Sequence, residues 1–298
     1  MTLPNFLIIG AAKSGTTSLY YYLKQHPDIY MPSYKEPHFF ANAEVVGIPT
    51  IMTLNDYKKL FCKVATEKAI GEASTGYLHF SESARLIKEQ IPECKIIIML
   101  RNPVERAYSM YCHEVREGLE KMKFLDAINE ELVDGRRKDF GKDISFNYVQ
   151  LGYMYENVMR YIELFDRENI FIGFYDDLKS DTRKIMSEIF SFLTVDNSFF
   201  GKWTTVHNPS GKPRLEWFHK MLISRNIIRR AIVYPARFFL PKEVRHKVWK
   251  NIKDWNVNVG QKKYMTDEEK KFLLSLYKKE ISNIELLTGR DLSHWRSM

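Results

Sequence analysis

The sequence predicts an α/β protein of three layers, with helices on both faces of a central parallel sheet and helical additions at the C-terminus. Three observations carry that expectation. Short apolar runs recur at Phe6–Ile9, Ala69–Glu72, Lys95–Leu100 and Asn169–Tyr175, each bounded by turn residues or charge. From Ile96 to Leu100 the run is apolar without alternation, as in a strand covered on both faces. Between the runs stand stretches with helical spacing, so strand and helix alternate along the chain. At 298 residues we expect a single domain over 1–298, with an α/β core over 1–200 and a basic helical part over 201–298.

The first strand runs into Gly10, and Gly10 and Gly15 bracket a tight loop before Thr16, Thr17, Ser18 and Leu19 open a helix. Strand, glycine loop and helix N-terminus together make an anion site, because backbone N–H groups and the helix dipole converge there. Lys13 adds a charge inside the loop, beside Ser14. This is a P-loop-type arrangement with one displacement. The loop for nucleotide triphosphates needs Lys directly after its second glycine, and here Thr16 takes that place. The loop therefore suits a phosphate without the metal of ATP. A βα turn that binds nothing is the plain alternative.

A helix from Tyr20 to Gln25 and a turn at His26-Pro27-Asp28 lead to Lys35-Glu36-Pro37-His38-Phe39-Phe40. Pro37 biases Glu36 toward extended backbone, which places Glu36 and His38 on one side. Phe39 and Phe40 would wall a pocket, and a carboxylate against aromatic walls has the raised pKa that a general base needs. The alternative is a surface pair of Lys35 and Glu36 with both Phe residues in the core. A short helix is expected over 54–62, and the second strand ends in a polar turn, Ala73 to Tyr77. After a helix over 81–90, the strand Lys95–Leu100 ends in Arg101-Asn102-Pro103. Asn102 is placed as N-cap and Pro103 as first residue of a helix reaching Glu117 and carrying Ser109.

Arg101 stands at a carboxyl strand end, where open α/β sheets bind ligands, and its planar guanidinium suits a phosphate. A salt bridge to Glu105 is the structural alternative. A charged surface helix is expected over 123–138, a long helix over 148–165 and another over 180–193. The final helix, over 266–287, opens on the capping-box sequence Thr266-Asp267-Glu268-Glu269 and stops at Gly289.

The net charge of +8 is concentrated. Residues 212–253 hold 12 Lys and Arg against two acids, and the rest of the chain carries 33 against 35. That segment reads as a solvated helical face, or as a peripheral contact with an anionic membrane or acidic polymer. No nucleic-acid module accompanies it. Before it, the polar loop Trp203–Arg214 ends in Gly211-Lys212-Pro213-Arg214, placed to fold over a bound anion. Cys62, Cys94 and Cys112 are odd in number and scattered, and the eight histidines lack ligand spacing. No metal and no disulfide framework is expected, and a cytoplasmic setting is. The N-terminal apolar run enters the glycine loop directly and reads as a strand, not a signal peptide. No stretch approaches the roughly 20 apolar residues of a membrane span.

Together these residues resemble the sulfotransferases that use 3′-phosphoadenosine 5′-phosphosulfate (PAPS), in particular a bacterial branch related to heparan-sulfate N- and 3-O-sulfotransferases. The resemblance rests on Ala12-Lys13-Ser14-Gly15-Thr16-Thr17, on Arg101-Asn102-Pro103 with Ser109, on Lys35–Phe40 and on the C-terminal Gly289–Trp295. It implies that Lys13, Ser14, Gly15, Thr16, Thr17 and Ser18 hold the 5′-phosphosulfate, and that Arg101 and Ser109 hold the 3′-phosphate. It makes Glu36 the base and Lys13 the group that stabilises charge on the bridging oxygen. His38 orients the acceptor or assists Glu36, and Lys212 and Arg214 close over the phosphates. The acceptor is a carbohydrate or small molecule with a hydroxyl or amine, lined by Phe39, Phe40, Ser74 and Tyr77. Related glycosaminoglycan enzymes often carry Lys where Ala73 stands, which points away from a heparan-like acceptor. Two other classes fit parts of the pattern: a P-loop kinase acting on a small molecule, and a non-catalytic polyanion-binding protein.

Overall fold

The period-two alternation of the first strand decides the architecture. The structure, a computed structural model, describes residues 2–41, 51–134, 144–203, 212–213, 257–258 and 264–297. In β1 (Phe6–Gly10) every residue is buried, and its side chains divide between two cores. Leu7 and Ile9 enter one core, Phe6 and Ile8 the other. The first core is completed by helices from the middle and end of the chain. The second is completed by α1 (Thr16–Leu23), through Leu19, Tyr20 and Leu23, and by a helix near residue 190. A sheet apolar on both faces must be covered on both faces, and the three expected layers follow.

β2 (Ile29–Tyr30), α2 (Leu54–Lys59), β3 (Ala69–Ala73), α3 (Ser83–Gln90) and β4 (Lys95–Leu100) come next. They are followed by α4 (Pro103–Arg116), α5 (Phe124–Asp134), α6 (Tyr155–Leu164) and β5 (Ile170–Phe174). α7 (Tyr175–Ser180) and α8 (Thr182–Leu193) close the α/β part, and α9 (Asp267–Thr288) packs against α4 and α6. The five strands are all parallel in the order β2-β3-β1-β4-β5. β1 therefore lies at the centre, between strands reached in opposite directions, and the loops after β1, β3 and β4 share one carboxyl edge. That edge is where such sheets bind ligands.

Two expected helices differ. The helix expected over 148–165 begins only at Tyr155. Ahead of it, the backbone N–H groups of Val149 and Gln150 donate to Glu131, at 2.9 and 2.7 Å, instead of to the preceding turn. Gly152 lies so close to α9 that a Cβ there would stand 2.3 Å from the Tyr277 hydroxyl. Glu280 of α9 then accepts from the N–H groups of Met154 and Tyr155, both at 2.7 Å, and caps the shortened helix from a distance. The charged helix expected at the surface is amphipathic: α5 buries Phe124, Ala127, Ile128 and Glu131.

The C-terminal turn braces the ligand edge. Trp295 is buried, its indole N–H donates to Asp176 at 2.7 Å, and its carbonyl accepts from Asn102 at 3.0 Å. Arg290 grips Asp177 with two N–H groups and lies over the Phe174 ring. Lys212 and Pro213 (β6) pair antiparallel with Val257 and Asn258 (β7) through their backbones. Arg214 and the rest of the basic stretch to Lys253 lie outside the described residues.

Candidate active site

The glycine loop is built to hold an anion. Ala11 N–H donates to Met99 O at 2.8 Å and ties the loop to β4. Lys13 and Gly15 have φ of 68° and 84°, in the left-handed region. At Gly15 a side chain is excluded twice, by that φ and by Tyr175 and Leu178 of α7, each 2.8 Å from where its Cβ would be. Among the described residues no side chain caps α1, and its first turn holds no acid, so its N–H groups and dipole act on the loop. Ser14 is fully buried with no hydroxyl partner among the described residues. A buried hydroxyl lacking a partner beside an uncapped helix start fits a phosphate or sulfate oxygen. Thr16 is buried there, and Thr17 and Ser18 are half-buried.

Arg101 follows β4 and closes the loop from below. One guanidinium nitrogen donates to Lys13 O at 3.0 Å and another to Glu105 at 2.9 Å, while the plane lies 4.5 Å from the Tyr175 ring centre. Arg101 thus makes the salt bridge to Glu105 that the structural alternative expects, and it also holds the backbone of the glycine loop. Asn102 caps α4 as expected, accepting from Val104 N–H at 3.0 Å. Ser109 is half-buried two turns further on. The same helix carries groups the sequence reading passed over. Arg116 donates to His113 Nδ1 at 2.8 Å, which leaves the ring proton on Nε2. Burial, then Lys13 and Arg116, push the His113 pKa down to about 3, so the ring is neutral. Lys13 is lowered to about 8, first by burial and then by Arg116, with Glu114 opposing and Arg101 adding. Positions 113 and 116 continue the helical stripe that begins at 109, a periodicity visible in the sequence.

The acceptor side differs from expectation in backbone and in charge. Glu36 and His38 are not extended; their φ values are 61° and 49°. The local bias of Pro37 is overridden by bonds to the turn after β3. Glu36 N–H donates to Ala73 O at 3.0 Å, and His38 N–H donates to Ser74 Oγ at 3.1 Å. The two side chains still meet, with His38 Nε2 3.9 Å from Glu36 Oε2. Lys35 pairs with Glu36, and Thr75 donates to it at 3.4 Å. The Glu36 side chain is 40% exposed. Burial works to raise its pKa, but His38 and Lys35 outweigh it and hold the carboxyl at about 2. The expected upward shift is therefore reversed, because the neighbours are charged and not only aromatic.

Phe39 stacks on Tyr57 at 4.3 Å, and Phe40, Ser74 and Tyr77 are buried. Tyr77 accepts from Phe40 N–H at 3.3 Å and stands edge-on to His38. The walls expected from Phe40, Ser74 and Tyr77 are thus a buried support beneath the loop. Among the described residues no group of His, Cys, Asp and Glu is placed to hold a metal ion.

The sulfotransferase domain family matches residues 3–285. The chain belongs to this family. It is 28% identical to a sulfotransferase of known structure from Alicyclobacillus acidocaldarius, with a TM-score of 0.74 and 100% of both chains covered. Mouse sulfotransferase SULT7A1, solved with PAP, shares the fold at a TM-score of 0.51 and 15% identity, over 95% of this chain and 85% of its own. The membrane-associated sulfotransferase kil1 of Dictyostelium discoideum is 37% identical over 111 residues, 37% of this chain and 23% of that protein. Human bifunctional heparan sulfate N-deacetylase/N-sulfotransferase 3 is 30% identical over 201 residues, 65% of this chain and 22% of that protein. The matched region thus spans less than a quarter of either curated relative. Among the described residues of this sulfotransferase-family chain, no helix is long and apolar enough to cross a membrane.

Proposed function

We propose that the chain transfers the sulfuryl group of PAPS to a hydroxyl or amine of a carbohydrate or small-molecule acceptor, releasing adenosine 3′,5′-bisphosphate (PAP). The observation that carries this reading is the pairing of an anion loop, holding a buried Ser14 with no partner among the described residues, with a carboxylate, Glu36, whose field reaches Lys13. Family membership supplies the donor. Bound PAPS would bring an activated sulfuryl group on a phosphate. Ser14, Gly15, Thr16, Thr17 and Ser18 bind the 5′-end, and Arg101 and Ser109 bind the 3′-phosphate. Glu36 takes the proton of the acceptor as the acceptor atom bonds to sulfur, and Lys13 stabilises the electron pair left on the departing phosphate oxygen.

His38 steadies Glu36, and Phe39 lines the approach of the acceptor. Lys212 and Arg214 are assigned to the closing loop on sequence alone. Cytoplasmic residence belongs to the same reading and is supported by Cys62, Cys94 and Cys112 forming no disulfide. The test is thermal stabilisation by PAP compared with ADP and magnesium. A shift from PAP alone is expected, and equal shifts would favour a small-molecule kinase. Labelled PAPS incubated with acceptor pools then identifies the product.

A further inference from the structure

Beneath the Glu36 loop lies a carboxylate that no step above uses. Glu72, next to last in β3, is fully buried. Its Oε2 accepts the Ser74 hydroxyl at 2.9 Å, and its Oε1 accepts from Tyr57 at 3.4 Å. We propose that Glu72 is a positioning residue for sulfuryl transfer: through Ser74 it sets the hydrogen-bond polarity that clamps His38, and with it Glu36, in their left-handed conformations. The inference rests on the reading of Glu36 as the base.

Proton count fixes the direction of these bonds. A serine hydroxyl has a single hydrogen and two lone pairs. Once that hydrogen is given to Glu72, the Ser74 oxygen faces the loop as an acceptor, and His38 N–H donates into it at 3.1 Å. The neighbouring Ala73 carbonyl takes Glu36 N–H at 3.0 Å. Two consecutive residues after Glu72 thus hold the loop on either side of Pro37. Residues other than glycine enter φ near 50–60° only where the surroundings impose it; here these two bonds act together with Ile51 N–H donating to Pro37 O at 2.9 Å and Ala41 N–H to His38 O at 3.0 Å. The result is the 3.9 Å approach of His38 to Glu36.

Stability does not account for Glu72. The groups acting on it are Ser74 and Tyr77 from the turn after β3, Tyr57 from α2, and Lys35, which is already paired with Glu36; it acts in turn on Cys94 ahead of β4. Burial raises its pKa to about 7, against the opposing bonds from Ser74, Tyr77 and Tyr57. A buried carboxylate held by neutral donors is costly compared with an apolar residue of similar size. A charge-assisted bond to Ser74 is what the carboxylate adds. Glu36, held at about 2, does not titrate near neutral pH; on this account an acid limb of kcat there comes from Glu72, and the Glu72→Gln profile separates it from His38, the imidazole beside Glu36.

The test uses the full chain with Glu72→Gln, Ser74→Ala and the double variant. Three readouts are needed: hydrogen exchange of the peptide spanning 34–41, PAP affinity by calorimetry, and kcat from pH 5 to 9 with labelled PAPS and a 4-nitrophenyl glycoside as the probe acceptor. We expect the His38 amide to exchange about tenfold faster in each variant, and PAP affinity to stay within about twofold. We expect kcat to fall about tenfold with KM for PAPS unchanged, the acid limb to vanish in Glu72→Gln, and the double variant to be no slower than the slower single one. Unchanged exchange in Ser74→Ala, or an acid limb that persists in Glu72→Gln, overturns the inference. Ser74→Ala decides the clamp by itself if Glu72→Gln fails to fold. Exchange requires no acceptor, so a wild-type chain that does not bind PAP would sink the sulfuryl-transfer reading while the clamp is still judged.

Discussion

The two ends of the site are made differently. On the proposed reading, the phosphate end uses what regular elements leave over: the uncapped start of α1, the left-handed Gly15 and an arginine at the end of β4. The acceptor end uses residues forced away from their local preference, Glu36 and His38, held by a buried turn. Strand ends and helix starts are cheap sources of unpaired donors. A charged base at a set distance from its partner is not, and it takes a second layer of bonds to keep it there. Binding and chemistry should therefore respond separately to substitution.

The largest effect is expected from Glu36→Gln, which should lower kcat by about 10²–10⁴ and leave PAP affinity unchanged by calorimetry. Retained activity would move the base, with His38 the first candidate. The reverse pattern is expected from Arg101→Lys. The lysine keeps the charge but loses the fork that joins Lys13 O, Glu105 and the Tyr175 ring. PAP should bind about 10- to 100-fold more weakly, with the pH profile of kcat unmoved. A changed profile would mean that the two ends are coupled through Lys13.

Legibility in the sequence follows the same division. The bounds of β4, the Asn102 cap and the Thr266 capping box were readable because each depends on neighbours within a few residues. Glu36 was readable as a residue of interest, but its backbone and the direction of its pKa were not. Pro37 argues for extended chain, and contacts remote in sequence, with Ala73 and Ser74 among them, reverse that. Glu72 read as the end of a strand because its role depends on a hydroxyl two residues on and a loop 36 residues back. The break at Gly152 has the same origin, since the side chain it avoids, Tyr277, belongs to the last helix.

The third experiment sets stability against position. The Glu72 carboxyl stands at about 7 in the fold, against an ordinary 4.5. A raised carboxyl favours the fold while protonated, so its contribution is lost as pH rises from about 4.5 through 7 and is constant above. Glu72→Gln does not titrate. Its unfolding free energy relative to wild type should therefore increase with pH over that interval, by on the order of 3 kcal/mol. Chemical denaturation at about pH 4.5 and pH 8 measures this. A stability difference independent of pH would show that Glu72 is not the titrating group.

The smallest effect concerns Lys35, which pairs with Glu36. Glu36 at about 2 is a weak base while Lys35 sits on it. Lys35→Met removes that partner and leaves burial and His38 in place, so the Glu36 pKa should rise. A depressed carboxyl supports the fold above its ordinary pKa of 4.5 and loses that support as pH falls toward 2. The variant should thus be slightly less stable than wild type at neutral pH and equal to it near pH 2. Glu36 is 40% exposed, so solvent screening limits the loss to about 0–1 kcal/mol. The kinetic sign is opposite. A more basic Glu36 accepts the acceptor's proton more readily, and kcat should hold or rise by a few-fold if proton transfer limits the rate. A fall in kcat with unchanged KM would instead place Lys35 on the transferring group, at the phosphate end of the site.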